Sequence, residues 1–213
     1  MRPPRLLPAL LAAVIPCAVP QAQLKPPPRF GLVAGINSST VGGSDAQDAK
    51  RKTGVMAGVS VVAPVSPGFS IEPELLFTMK GAGFSDSDAS GSVKMNYVEI
   101  PVLFRGSIPT STNARPFFYA GPDVAFRVSC SLEAVGQGVG GDISCDELES
   151  EGVKFKTVDY GIVIGAGASF DVSGKIFTLS LRYDYSLAKL VEDSNTKHRV
   201  LSLVGTLEFP WRR

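Results

Sequence analysis

The side chains best suited to chemistry in this chain are ionised and spaced by even numbers. Glu72, Glu74, Glu99, Asp123, Asp159 and Asp184 fall at alternate positions of extended stretches, and Lys80, Arg105, Arg127 and Arg182 share their face. Side chains two apart point the same way from a strand, so Glu72 and Glu74 could act as a general acid/base pair. A plainer reading fits the whole set better. Buried charges need partners, and mid-strand charges of both signs can pair across neighbouring strands. We therefore expect these ten residues to form an ion-pair network.

Other candidates carry less. His198 is the only histidine, and it stands between Lys197 and Arg199. Ser–His chemistry would require a serine and a carboxylate beside it. Its place at the end of a stretch points instead to a solvated rim residue. Gly136–Gly141 spells GQGVGG, a match to the dinucleotide fingerprint, but no strand–turn–helix unit surrounds it. It is expected to be a loop tip. The segment 129–152 holds Glu133, Asp142, Asp146, Glu147, Glu149 and Glu151 with no basic residue. Oxygen-rich loops can take a divalent cation, yet this spacing matches no standard calcium loop, so a solvated acidic loop is expected. Asn37-Ser38-Ser39 matches a glycosylation acceptor of little weight here. No metal or cofactor is expected.

The elements that must position the charges are strands. Phe69–Lys80 alternates strictly: Phe69, Ile71, Pro73, Leu75, Phe77 and Met79 face one way, and Ser70, Glu72, Glu74, Leu76, Thr78 and Lys80 the other. Period 2 over this length is a strand signal. The pattern predicts eight strands, at 30–37, 52–63, 69–80, 93–105, 115–128, 153–170, 176–186 and 198–209. Tight turns at Pro64–Gly68 and Asp171–Lys175 are predicted from their Pro, Gly and Ser content. Long polar loops fall at 38–51, 81–92, 129–152 and 187–197.

Hydrophobic residues are 44% and charged residues 19% of the chain, an average balance that alternation would hide in a membrane-spanning sheet. The start is basic, then apolar from Leu6 to Val19, then small, the layout of a secretory signal. We expect residues 1–22 to be removed and 23–29 to be a stiff Pro-rich lead-in, with 30–213 as the folded unit. Removal leaves 19 basic against 20 acidic residues. There is no basic patch interleaved with aromatics, so no nucleic-acid partner is expected. It also leaves two cysteines, Cys130 and Cys145, in a chain passing through an oxidising compartment, so a disulfide is expected.

An open sheet edge cannot sit in a bilayer, and closure removes it. The second face is nearly free of charge along the strands and rich in Phe, Leu, Ile, Val and Tyr. Turned to water it would aggregate, and eight strands of such bulk would not fit one small bore. The fold expected is therefore an all-β, eight-stranded antiparallel up-and-down transmembrane β-barrel, apolar face to lipid, charges within. Long and short connections alternate, as in outer-membrane barrels, which puts both chain ends on the short-turn side.

The segment Tyr97–Phe104 (YVEIPVLF) resembles the outer-membrane β-barrel family known as porin-family or PorT-like proteins, related to OmpA/OmpX-like barrels. GLVAGIN at 31–37, EPELLFTMKG at 72–81, PFFYAGPDVAF at 116–126, YGIVIGAGASF at 160–170 and LRYDYSL at 181–187 support the resemblance. It implies insertion by the outer-membrane assembly machinery, contact with outer-membrane lipid and lipopolysaccharide, and no catalytic residues. It also implies a terminal aromatic, which Phe209 supplies, although Pro210–Arg213 runs past it. The expected role is structural or loop-mediated binding by a monomer with little conductance. Two alternatives stand beside it. One is a lipid-modifying barrel using His198, since small outer-membrane enzymes acting on lipid A use His and Ser on the barrel wall. The other is a narrow channel.

Overall fold

The computed structural model describes residues 27–43, 49–85, 90–136, 139–145, 147, 156–189 and 196–211. The expected signal peptide lies outside them. The described residues form ten antiparallel strands: β1 (Arg29–Gly42), β2 (Lys50–Ser66), β3 (Phe69–Ser85), β4 (Ser90–Glu99), β5 (Val102–Ser107), β6 (Ala114–Gly136), β7 (Val139–Ser144), β8 (Val158–Val172), β9 (Lys175–Ser186) and β10 (Lys197–Pro210). Neighbours in sequence pair in turn, and β1 pairs with β10 from Arg29↔Pro210 to Gly42↔Lys197, which closes the ring. β4 and β5 share one place in the wall, and among the described residues β7 pairs only with β6. The wall is thus an eight-stranded barrel.

Alternation sets its two faces. On β3, Ser70, Glu72, Glu74, Leu76, Thr78 and Lys80 are buried, while Phe69, Leu75, Phe77 and Met79 are exposed. Leu32, Ile36, Phe104, Phe118, Ile164, Leu181 and Leu203 continue the exposed apolar belt on other strands. Eight strands leave a bore that side chains can fill. Val33, Met56, Leu76 and Val204 pack within it, as do Leu103, Phe117, Tyr119 and Val163, and above them Met95, Tyr97 and Ala125.

The turns have local causes. Ser173 (φ 53°) and Gly174 (φ 76°) both take positive φ between β8 and β9, the conformation that suits a two-residue hairpin. Pro67 and Gly68 (φ 81°) make the β2–β3 turn. These ends, with Arg29 at the start of β1 and Pro210 at the end of β10, define the inner end of the barrel; the opposite end is the outer one.

Three features depart from the expected strands. The stretch 93–105 is broken in two at Ile100–Pro101, because proline has no N–H for the ladder. The Pro101 carbonyl still accepts from Glu74 N (3.0 Å), and Ile100 N donates to Val124 O (2.8 Å). Strands also run further outward than expected, β1 to Gly42 and β3 to Ser85. Most important, 129–152 is not simply a loop. β6 continues to Gly136 and returns as β7, so Gly136 and Val139–Gly141 of the glycine-rich motif lie on the arms of a hairpin, and the expected tip at 137 and 138 lies outside the described residues.

Where β2 leaves register with β3 between Arg51 and Met56, side chains of β1 take over the freed backbone groups. Ser39 Oγ accepts from Gly81 N (2.8 Å) and donates to Gly81 O (2.7 Å), and Asn37 Nδ2 donates to Met79 O (3.0 Å). Buried backbone groups need partners, and here the barrel supplies them from inside.

Candidate functional site

The inward charges collect in two tiers. In the inner tier, β5 carries Arg105 across the bore: its Nη1 donates to Glu72 of β3 (3.3 Å) and Glu208 of β10 (3.1 Å), and its Nη2 to Ser169 of β8. Arg29 Nε donates to the other Glu208 oxygen at 2.7 Å. From β9, Arg182 Nη2 donates to Glu74 at 2.6 Å, and its Nε to the Tyr119 hydroxyl at 3.4 Å. Phe117 lies under the Arg105 guanidinium at 3.8 Å and is stacked on Tyr119. A planar guanidinium suits such combined pairing and stacking. Gly165 makes room, because a Cβ there would lie 2.4 Å from the Tyr119 ring. Three arginines thus meet three glutamates, each in contact with an opposite charge.

The outer tier differs. Lys80 is paired with Glu99, whose other oxygen accepts from Thr78 Oγ1 at 2.8 Å. Ser186 donates to Asp159. Asp123, Asp159, Asp184 and His198 line a small cavity with Lys80, roomy enough for on the order of one water. Asp123 Oδ1 and His198 Nδ1 have no hydrogen-bond partner among the described residues. Tyr97 OH donates to Met95 Sδ and lies 3.3 Å from His198 Nε2, with the two rings edge to face.

Beyond the outer tier rises the β6–β7 hairpin. Val128 is the extra residue where β6 shifts register on β4, between Asn96↔Ser129 and Tyr97↔Arg127. The shift brings Cys130 opposite Met95 and packs it against the Met95–Tyr97–Ala125 cluster. Cys130 is joined to Cys145, with Cα atoms 5.4 Å apart, just past the Ser131↔Ser144 pair. Glu133 is opposite Asp142 in the register. Lys94 pairs with Glu133 and Lys52 lies 3.7 Å from it, and the hydrogen bond from Lys94 holds the Glu133 carboxyl below its usual range.

All ten residues expected in one network face the bore, but the structure separates them by height. Glu72, Glu74, Arg105 and Arg182 lie in the inner tier; Lys80, Glu99, Asp123, Asp159, Asp184 and Arg127 lie in the outer. His198 corrects the sequence reading: it is 2% exposed and faces inward, because it continues the inward series Val200, Ser202, Val204, Thr206 and Glu208. Sequence reasoning also passed over Glu208, Arg29 and Tyr119. The even positions of β10 would have revealed Glu208.

The sequence matches the family described as outer membrane protein beta-barrel domain over residues 21–192. No curated protein matches it. Among solved structures, Neisserial surface protein A (NspA) aligns with TM-score 0.50 and 11% identity, covering 85% of this chain and 97% of that one. The outer membrane protein OprG from Pseudomonas aeruginosa aligns with TM-score 0.50 and 11% identity, covering 87% and 97%. Likeness at this identity is one of fold. A closed antiparallel wall, an apolar belt on its outside, charges within, and a family match over most of the sequence lead to one conclusion: the chain belongs to the outer membrane protein β-barrel domain family and is a small barrel of the cell outer membrane.

Proposed function

We propose that this protein is a non-enzymatic, non-conducting monomeric barrel whose work is done by its outer hairpin and loops, in contact with lipopolysaccharide or with partners outside the cell. The observation that supports it is the bridging of the bore. Arg105 on β5 reaches Glu208 on β10 and Ser169 on β8, and Arg182 on β9 reaches Glu74 on β3. Such contacts, together with packed Phe117, Tyr119, Leu103 and Val163, obstruct a path for ions. The β6–β7 hairpin, joined across by a disulfide, stands beyond the outer tier. Protein purified from outer membranes and placed in planar bilayers is expected to give no unitary current steps. Stable steps would favour the narrow channel instead.

The burial of His198 weighs against the lipid-modifying alternative. A buried imidazole facing the bore, engaged with Tyr97, does not meet acyl chains on the outer wall. His198→Ala is expected to leave the mass spectrum of lipid A unchanged in cells with and without the gene; a lost species would restore the enzyme reading.

A further inference from the structure

The two tiers differ in charge balance, and the difference has an occupant. Inward side chains of the outer tier bring four carboxylates, Glu99, Asp123, Asp159 and Asp184, against two cations, Lys80 and Arg127. Lys80 is already taken by Glu99. Buried carboxylates without counter-charge are costly, so this tier calls for added positive charge.

Two atoms show where. Asp123 is 7% exposed and its Oδ1 has no partner among the described residues; His198 is 2% exposed and its Nδ1 has none either. Both residues line the same cavity. Tyr97 OH lies within hydrogen-bond reach of both Met95 Sδ and His198 Nε2; with its proton directed to the sulfur, the imidazole carries its own proton on Nε2. A neutral imidazole with its proton on Nε2 has a lone pair on Nδ1. In that tautomer both orphan atoms are acceptors, and the Lys80 ammonium that also lines the cavity is held by Glu99.

We propose that the outer tier of the bore binds a small ammonium group, either the free ion or the protonated head of a short primary amine, between Asp123, Asp184 and His198. A transition metal fits poorly: no three His, Cys, Asp or Glu side chains among the described residues converge at ligand distance. Acceptors spread around a water-sized space suit a cation that radiates several N–H donors. Asp184 is partly exposed, which leaves the chamber a way in.

The test uses protein purified from outer membranes in detergent. Ammonium or methylammonium chloride is titrated at constant ionic strength against tetramethylammonium chloride, which is too large to enter. Binding is read by calorimetry and by backbone amide shifts of the cavity strands. Saturable binding of the two small cations is expected, at least tenfold weaker in Asp123→Asn and in Asp184→Asn and unchanged in Asp171→Asn, an exposed acid at the inner turn. Heat-modifiable mobility verifies that each variant is folded. Absence of saturable binding to the wild type would overturn the proposal. So would equal affinity in both cavity variants, or equal binding of tetramethylammonium, since a site holding only water or a shared proton would behave in those ways.

Discussion

The two tiers of the bore are built from the same wall, by the same alternation, yet they solve the problem of buried charge in opposite ways. The inner tier matches arginine to glutamate and leans its guanidinium groups on aromatic rings. The outer tier uses aspartates, a lysine and a histidine, and leaves acceptors facing a cavity. Closed pairing makes a strut; an unbalanced ring makes a receptacle. One barrel can hold both because each inward position adds its charge independently of the wall that carries it.

The contrast breaks most readily at Arg105. Arg105→Met strands Glu72 in the bore and leaves Glu208 with Arg29 alone, and removing one partner of a buried pair costs about 3–5 kcal/mol. Urea unfolding of the barrel in lipid vesicles should show a loss of that size; a shift below about 1 kcal/mol would mean that the inner tier is solvated. Gly165→Leu comes next. The added side chain must displace Tyr119 or the Leu181 carbonyl, and overpacking of this kind costs about 1–3 kcal/mol. The same unfolding measurement checks it, and conductance in the variant would show that Tyr119 helps to close the bore.

The outer tier should answer in the other direction. Asp123→Asn removes an uncompensated charge, so in ammonium-free buffer its stability should equal or exceed that of the wild type. A loss comparable to that of Arg105→Met would erase the distinction between tiers. Smallest of all for the barrel is reduction of Cys130–Cys145. It should leave the global unfolding midpoint unchanged while making the β6–β7 hairpin sensitive to protease. A coincident drop of the midpoint would make the hairpin part of the barrel's cooperative unit.

Much of this was legible in the sequence. The alternation of Phe69–Lys80 assigns both faces of β3 without error, and the interleaved charges predict a polar interior. What lay hidden has physical reasons. Ser38–Gly42 and Gly81–Ser85 are extended, but their small and polar residues carry no hydrophobic alternation, so they read as loops. The break at Pro101 depends on one missing N–H within an otherwise continuous pattern. The inward turn of Cys130 depends on a single extra residue, Val128, which inverts the parity of everything after it. Arg105 and Glu208 meet only because the ring closes in one particular register, and no local pattern states that register. His198 was misplaced because flanking lysine and arginine suggested water, while the alternation of β10 turned it inward.

The pairing of Arg29–Gly42 with Lys197–Pro210 also dictates an order of events. The first strand to be made must wait, with one edge unsatisfied, for the last, so assembly cannot proceed piece by piece from the amino end. Until the final segment arrives, that edge is a template for any other extended chain, its own copies included. A shortened product that lacks β10 would therefore be more than inactive: it would be adhesive, and the cell has reason to guard or destroy it.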